Sequence, residues 1–244
     1  MQVFPNNFGF RMVGAKPTSH LYRSRDLACL NEAELAALRT QGIELIIDLR
    51  KPSEIASLPT PDGLWAESIS FGRDSASATR SMGTTRWPTA YVKGYGKPGE
   101  RMIQQYKELA HQDSLHALVI HMICAKNTST LIHCANGKDR VGVFCAQLLK
   151  IAGADDDEIL DDYLLTNEVN SAMNAVDLAE HAKHCTREEL EVIRSLFEAR
   201  EAYLMAFFSE IDLLYGSFAK YCDQALHLSA GDREVLTQLL GRTG

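Results

Sequence analysis

The chain of 244 residues has no long hydrophobic run and no excess of positive charge. No stretch approaches the ~20 consecutive apolar residues that a membrane-spanning helix needs, so we expect no integral membrane contact. The formal net charge is −7, whereas a nucleic-acid surface needs a clustered excess of Lys and Arg. The composition therefore argues against nucleic acid or an anionic membrane surface as a partner.

Signs of export and of metal binding are also missing. Residues 1–7 have neither the basic start nor the apolar run of a signal peptide. The eight histidines show no ligand spacing with carboxylates or thiols, so no metal and no other cofactor is expected. Six cysteines are widely spaced without a C-x-x-C pair: Cys29, Cys124, Cys134, Cys145, Cys185 and Cys222. They indicate reduced thiols and a cytoplasmic protein, although signal-independent export would leave no trace in this pattern.

Apolar periodicity predicts strands that alternate with helices. Strands are predicted over residues 19–24, 43–49, 64–71 and 131–133, and helices over residues 31–39, 88–111, 114–126 and 142–151. Residues 1–18 are expected to be an irregular arm and residues 72–85 a mobile loop, and further helices are expected over residues 156–184, 187–214, 217–226 and 232–240. This order predicts an α/β fold with a mainly parallel central sheet and helices on both faces. We expect a single domain over residues 1–244, in which residues 155–244 form a mostly helical extension packed on the α/β core.

The most informative stretch is residues 131–143, where an apolar strand passes through a short polar loop into an apolar helix. Such a loop aims consecutive backbone N–H groups at one concavity, at the positive end of the helix, and this concavity attracts an oxyanion. Cys134 would lie on its floor and Arg140, whose planar fork suits phosphate, on its lip. The same field would keep the cysteine as a thiolate. A nucleotide-binding P-loop is excluded, because Asp139 stands where a Mg-binding Ser or Thr should follow the lysine.

Residues 133–142 read His-Cys-Ala-Asn-Gly-Lys-Asp-Arg-Val-Gly. This stretch resembles the signature of the atypical tyrosine phosphatase family of bacteria and fungi, in which the loop typically reads H-C-x-x-G-K-D-R-[TS]-G. Residues 21–24, 42–50, 162–167 and 215–218 resemble further blocks of that family. The resemblance implies a cysteine-dependent phosphatase fold and activity on phosphotyrosine, sometimes on phosphoserine or phosphothreonine, and often on phosphoinositides. Two departures are Val141, which replaces the usual hydroxyl residue, and residues 7–11, which match the family only loosely.

The expected reaction is phosphomonoester hydrolysis through a phosphocysteine intermediate. Cys134 is the expected nucleophile. Arg140 is expected to clamp the phosphate and stabilise the transition state. The N–H groups of Ala135, Asn136, Gly137, Lys138, Asp139 and Arg140 would complete the cradle. His133 is expected either to orient the loop through a hydrogen bond or to be a structural histidine.

The leaving oxygen needs a proton donor, and the family resemblance favours Asp139 for that role. The alternative is that Asp139 only pairs with Lys138 or Arg140 to shape the loop. Ordinary tyrosine phosphatases carry an aspartate on a separate loop a few tens of residues before the cysteine. Around that distance this sequence offers Glu100 but no aspartate, and Asp113 is nearer. Asp48 and Asp74 are reserves, and Asp48, which follows a strand, is also a candidate partner for an arginine.

Further residues are predicted to contact substrate. Lys138 could meet a second phosphate, as on a phosphoinositide headgroup, or could be a solvated charge. Arg50 and Asp48 would line the same pocket, since ligands bind beyond the carboxyl ends of parallel strands. Val141 cannot donate a hydrogen bond to the cysteine sulfur, so we expect slower breakdown of the intermediate than in a Val141→Thr variant.

Two other classes compete with an active phosphatase. One is a pseudophosphatase that binds phosphorylated partners without turnover. The other is a rhodanese-like or arsenate-reductase-like thiolate enzyme. An arsenate reductase needs a second, resolving thiol, and Cys145 is close in sequence but is expected to face the core. The choice between a phosphorylated protein and a phosphoinositide as substrate, and the oligomeric state, stay open.

Overall fold

A computed structural model describes residues 9–14, 17–61, 64–72 and 92–242 of the chain. Its strands are β1 (Arg11–Met12), β2 (Leu21–Ser24), β3 (Leu45–Asp48), β4 (Glu67–Ser70) and β5 (Thr130–His133). They form one sheet in the order β1-β2-β5-β3-β4. All neighbouring pairs are parallel except β1 with β2. The prediction of a mainly parallel central sheet is confirmed.

The two faces of the sheet lie in two different hydrophobic clusters. Leu45, Ile47 and Ile132 belong to the larger cluster, whereas Ile46 and Leu131 belong to the smaller one. This alternation follows from the two-residue repeat of a strand, whose side chains point to opposite faces in turn. A short apolar run buried on both faces is typical of a central parallel strand.

Helices cover both faces of the sheet, as predicted. They are α1 (Glu32–Arg39), α2 (Pro52–Ser57), α3 (Glu100–Ala110), α4 (Asp113–Lys126), α5 (Asp139–Ile151), α6 (Asp156–Val169), α7 (Ser171–Ala182), α8 (Arg187–Phe197), α9 (Glu201–Tyr215), α10 (Phe218–Gln224) and α11 (Ala230–Leu239). Leu38 of α1 lies in the smaller cluster. Phe144 of α5, Tyr163 of α6 and Phe207 of α9 lie in the larger cluster together with the sheet. Within the described residues, no helix is long and apolar enough to span a membrane.

A local signal placed the start of α1 correctly. Asn31 caps α1 and completes a capping box with Glu34, as the sequence predicted. The predicted helix over residues 187–214 is instead two helices, separated at residues 198–200, and the one over residues 156–184 is interrupted at Asn170. The short strand β1 was missed, because it falls in the segment that we expected to be irregular. The predicted loop over residues 72–85 lies outside the described residues except for Gly72.

Three strands end at the same level, and this brings the candidate residues together. Ser24 of β2 and Asp48 of β3 are both in register with His133 of β5. The residues that follow these strands therefore meet at one edge of the sheet. Cys134 is the first residue after β5, at that edge.

Candidate active site

The loop from Cys134 to Lys138 connects β5 to the first turn of α5. Gly137 has a positive φ of 62°, which L-residues rarely adopt. A Cβ at this position would lie 2.8 Å from the carbonyl oxygen of Ser24. Glycine is therefore required here both by backbone conformation and by the close approach of β2.

Protein donors hold the loop carbonyls from outside. The backbone N–H of Asp26 donates to Ala135 O at 3.3 Å, and Asn170 Nδ2 donates to Asn136 O at 3.3 Å. Arg23 Nη2 donates to Gly137 O at 2.9 Å. With its carbonyl oxygens held on the outside, the loop turns its amides towards the concave side.

The backbone N–H groups of this loop are the donors that the sequence predicts to form an anion cradle. Within the described part of the chain, none of the N–H groups of residues 135–140 donates to a protein acceptor. Consecutive unpaired amides at a helix N-terminus form an anion-binding nest, to which the helix dipole adds positive potential. The unpaired amides therefore suit a tetrahedral oxyanion at this loop, which begins at Cys134, a residue that is only 2% exposed.

Arg140 is oriented by Glu54, a residue that the sequence reasoning missed. Its Nη1 donates to Glu54 Oε2 at 2.6 Å and to Leu49 O at 2.8 Å, and its Nη2 donates to Glu54 Oε1 at 3.0 Å. A guanidinium has five N–H donors. Within the described residues, the Nε–H and one Nη2–H of Arg140 have no protein acceptor. These two N–H groups can grip an oxyanion in the bidentate way that arginine favours.

The charges around this arginine are tightly coupled. Burial alone lowers the pKa of Arg140, but the charges of Cys134 and Glu54 outweigh it and raise the pKa. Burial raises the pKa of Glu54, and the hydrogen bonds from Arg140 more than reverse this, so that the pKa lies below its ordinary value. Arg140 and Glu54 are therefore both ionised near neutral pH.

Arg50 provides a contrast, because the protein itself uses every one of its donors. Its Nε and Nη2 donate to the carboxylate of Asp48, and its Nη2 also donates to Thr60 Oγ1 at 2.6 Å. Its Nη1 donates to Asp26 Oδ2 and to Leu58 O, both at 2.8 Å. Arg50 is fully buried. Substrate contact by Asp48 and Arg50 stays a prediction, and this geometry gives both residues a supporting role instead.

His133 is fully buried behind the loop. Its Nε2 lies 3.7 Å from Asp48 Oδ2, and neither ring nitrogen has a hydrogen-bond partner among the described residues. Burial lowers the pKa of His133. The imidazole is therefore neutral at pH 7, and the orienting role of His133 stays a prediction.

Lys138 points away from the concave side of the loop. Its Nζ donates to Leu196 O in the last turn of α8 at 2.5 Å and to Glu198 O just after that helix at 3.2 Å. It also lies 3.3 Å from Asp139 Oδ1. Only 2% of the residue is exposed. Lys138 therefore ties the loop to the C-terminal helices, and its contact with a second phosphate stays a prediction that this geometry does not support.

Asp139 lies in the first turn of α5, and the hydroxyl of Tyr106 donates to its Oδ1 at 2.9 Å. The competing carboxylates have other partners. Asp113 accepts hydrogen bonds from Tyr215 and from the backbone of Ser114, and Glu100 accepts one from the backbone of Lys97. Asp74 lies outside the described residues.

Val141 and Cys145 both face the hydrophobic interior. Each is fully buried in the larger hydrophobic cluster. Burial raises the pKa of the Cys145 thiol to about 12. The expectation that Cys145 faces the core is confirmed, and a neutral thiol is a poor resolving group. The effect of Val141 on turnover stays a prediction.

The supporting residues that sequence reasoning missed come from distant segments. Asp162 of α6 accepts from Arg23 Nη1 at 2.7 Å, and Arg23 in turn holds Gly137 O. Asn170, at the end of α6, holds Asn136 O. Residues 162–167 were recognised as a block resembling the family, and this was the one signal that pointed to α6. Glu54 carried no signal, because a glutamate in the first turn of a short helix is ordinary.

Fold and site together describe an α/β protein with a buried cysteine at the start of a strand–loop–helix. Residues 13–241 match the family model described as the tyrosine phosphatase family. The chain therefore belongs to the tyrosine phosphatase family, and it is a phosphatase by membership.

Two relatives cover most of the chain. A Cupriavidus necator protein, provisionally named a tyrosine-protein phosphatase, is 30% identical over 222 residues, which is 85% of this chain and 74% of that protein. The triple specificity protein phosphatase PtpB of Mycobacterium tuberculosis is 29% identical over 263 aligned positions, covering 92% of this chain and 94% of PtpB.

Two solved structures are similar at a low level. TpbA of P. aeruginosa gives a TM-score of 0.39 at 16% identity, covering 80% of this chain and 95% of TpbA. The Siw14 catalytic core gives 0.40 at 16% identity, covering 80% of this chain and 94% of that core. Structural similarity at this level supports no conclusion about substrate or mechanism.

Proposed function

We propose that this phosphatase hydrolyses phosphate monoesters through a phosphocysteine on Cys134, with phosphotyrosine-type esters as its main substrates and phosphoserine or phosphothreonine as secondary ones. One observation carries the proposal. The amides of residues 135–140 have no acceptor within the described residues, while protein donors hold three of the loop's carbonyl oxygens from outside. This arrangement suits an oxyanion directly above a sulfur nucleophile.

The reaction has two balanced steps. In the first, the Cys134 thiolate attacks phosphorus, the bond from phosphorus to the ester oxygen breaks, and Asp139 gives a proton to that oxygen. In the second, water attacks the phosphocysteine, Asp139 takes a proton from the water, and the P–S bond breaks to regenerate the thiolate and release inorganic phosphate. Splitting one displacement into two easier ones is the general advantage of covalent catalysis.

Charge stabilisation comes from the cradle and from Arg140. The phosphoryl oxygens carry most of the charge in the transition state, so preorganised donors stabilise it without having to reorient. Glu54 holds the guanidinium in place through two N–H groups and leaves two others for the phosphate.

The proposed range of substrates draws on the name of one relative. PtpB, which matches nearly the whole chain, is named a triple specificity protein phosphatase. That name supports activity on more than one class of phosphorylated residue. Phosphoinositides stay candidate substrates from the sequence resemblance, although Lys138 is engaged by backbone carbonyls in this structure.

We further propose that residues 155–244 are an extension of the same domain. Ile159, Tyr163, Phe207 and Tyr221 share one buried cluster with the sheet residue Ile132. Shared burial of this kind is what a continuous core provides.

The test is hydrolysis of para-nitrophenyl phosphate and of a phosphotyrosine peptide by the wild-type chain and by Cys134→Ser. We expect turnover by the wild type, a phosphorylated protein after rapid acid quench, and loss of both in the variant. A Cys145→Ser variant is the matched control, because it changes the same atom in a buried thiol outside the cradle. Binding of the phosphopeptide without hydrolysis by the wild type would identify a pseudophosphatase. Turnover that survives Cys134→Ser would overturn the mechanism.

A further inference from the structure

Two buried tyrosines form a hydroxyl chain that ends on Asp139. Tyr106 lies on α3 and Tyr163 on α6, and both are fully buried. Their hydroxyl oxygens are 2.7 Å apart, and the Tyr106 hydroxyl is 2.9 Å from Asp139 Oδ1. Three segments far apart in sequence therefore meet in one line of hydrogen bonds.

The direction of donation along these hydrogen bonds follows from counting protons. A carboxylate only accepts, and each phenol has one proton to donate. Tyr106 therefore donates to Asp139, and Tyr163 donates to Tyr106. Burial, followed by the charge of Asp139, raises the pKa of both phenols, so both keep their protons at the pH of catalysis.

Among the described residues, only one oxygen of the Asp139 carboxyl group is contacted. Besides the Tyr106 hydroxyl, Lys138 Nζ approaches Oδ1 at 3.3 Å. Oδ2 has no hydrogen-bond partner among the described residues. One oxygen of Asp139 is thus anchored and the other is left free.

We propose that Tyr106, supported by Tyr163, is a positioning residue that anchors Oδ1 of Asp139, so that Oδ2 carries the proton to the leaving oxygen. This inference rests on the proposed function, because it assigns a role within the first of its two steps. As the bond from phosphorus to the ester oxygen breaks, its electron pair stays on that oxygen, and the proton on Oδ2 neutralises it. Without the anchor the carboxyl group rotates, and fewer molecules hold Oδ2 in line with the leaving oxygen.

The dependence of the reaction rate on the leaving group separates this positioning role from a purely structural one. Nitrophenolate is a stable anion that leaves without a proton, whereas phenolate is more basic and needs one. A misplaced acid therefore slows phenyl phosphate more than para-nitrophenyl phosphate. A distorted cradle slows both equally.

The experiment measures kcat/KM for both esters with Tyr106→Phe. General acid catalysis is worth ~10²–10⁴ in rate, so loss of its positioning should lower kcat/KM for phenyl phosphate about 10-fold or more, and for the nitrophenyl ester less than about 3-fold. Asp139→Asn should show the same pattern with a larger loss. Tyr163→Phe leaves the contact of Tyr106 with Asp139 in place, so it should show a smaller loss of the same kind.

Tyr203→Phe is the matched control. Its ring lies 5.7 Å from that of Tyr106, and its hydroxyl donates to Ser195 O at 2.9 Å instead of to Asp139. It removes the same atom from the same region, so it should affect both esters equally.

Each possible outcome supports or overturns the inference. Equal losses on both esters for Tyr106→Phe overturn it, as does an Asp139→Asn variant without leaving-group dependence. If Tyr106→Phe does not fold, as judged by circular dichroism, Tyr163→Phe decides, and equal losses there also overturn the inference. Turnover in Cys134→Ser would instead contradict the proposed function, so the two failures are distinguishable.

Discussion

Residues 134–140, which run from the end of β5 into the first turn of α5, are held on two sides by different chemistry. On the arginine side, Arg140 binds the carboxylate of Glu54 and the carbonyl of Leu49. On the lysine side, Lys138 binds the carbonyls of Leu196 and Glu198. The two cations are two positions apart in sequence, yet the arginine side belongs to the α/β core and the lysine side to the C-terminal helices.

This difference assigns opposite roles to two basic residues of one motif. The Arg140 side chain is 22% exposed and keeps two N–H groups without a protein acceptor in the described structure, so it remains available to substrate. The Lys138 side chain is 2% exposed. It lies beyond the C-terminus of α8, where a cation also interacts favourably with the helix dipole. Asn167 strengthens this side by exchanging two hydrogen bonds with the backbone of Ala199.

Of the variants that test this comparison, Glu54→Gln should lower kcat/KM the most. Glutamine keeps the shape but loses the charge and one acceptor, so Arg140 loses its bidentate anchor. Misplacing a catalytic group by ~1 Å can cost about 10²-fold, so we expect kcat/KM to fall about 10- to 100-fold. Glu67→Gln is the control, because Glu67 pairs with Lys126 in an exposed ion pair. An unchanged kcat/KM in Glu54→Gln would show that Arg140 needs no such anchor.

Lys138→Met should lower activity less than Glu54→Gln does. The loss should be the same factor on different substrates. The change leaves the carbonyls of Leu196 and Glu198 without their donor, which should cost about 1–3 kcal/mol in the free energy of unfolding. Activity should fall about 10-fold through loosening of the loop. The ratio of activities on a phosphotyrosine peptide and on a phosphoinositide with several phosphates should stay the same. Lys126→Met, at the other end of the exposed pair, is the control.

A selective loss on the phosphoinositide would reverse this interpretation. It would show that Lys138 leaves its carbonyl partners to bind a second phosphate during catalysis. Thermal unfolding of the same variant, followed by circular dichroism, separates this outcome from a general loss of stability.

Lowering the pH should weaken the contact between Glu54 and Arg140 before it weakens the contacts between Lys138 and the backbone carbonyls. The pKa of Glu54 in the folded chain lies below its ordinary value of 4.5, with Arg140 and Lys51 as the facing cations. The folded state therefore binds fewer protons, and the stability contributed by Glu54 is present above pH 4.5 and is lost as the pH falls through the folded pKa. Backbone carbonyls, which hold Lys138 on the other side of the loop, do not titrate in this range.

Unfolding free energies measured between pH 6 and pH 3 should fall less steeply in Glu54→Gln than in the wild type. Parallel curves for wild type and Glu54→Gln would show that this carboxylate contributes nothing to acid sensitivity.

Local features of the sequence predicted the centre of the site but not its supports. The apolar run before Cys134, the glycine at 137 and the apolar stretch after Arg140 are neighbours in sequence, so their strand–loop–helix geometry follows from local preferences. The supporting contacts of Tyr106, Glu54 and Asp162 instead join residues that are 33, 86 and 139 positions apart. No periodicity reports such contacts, because they depend on how the elements pack.

Short stretches of the chain were enough to predict the parallel sheet and the family, and the predictions of the nucleophile and the anion cradle depend on the same stretches. Each depends on residues close together in the chain or on a short repeating pattern of burial. Packing between distant elements set which cations remain available to substrate, because it turned Lys138 and Arg50 towards protein acceptors and left Arg140 two donors. Whether a charged side chain faces a ligand or the protein depends on the acceptors that packing brings to it, and those come from distant parts of the chain.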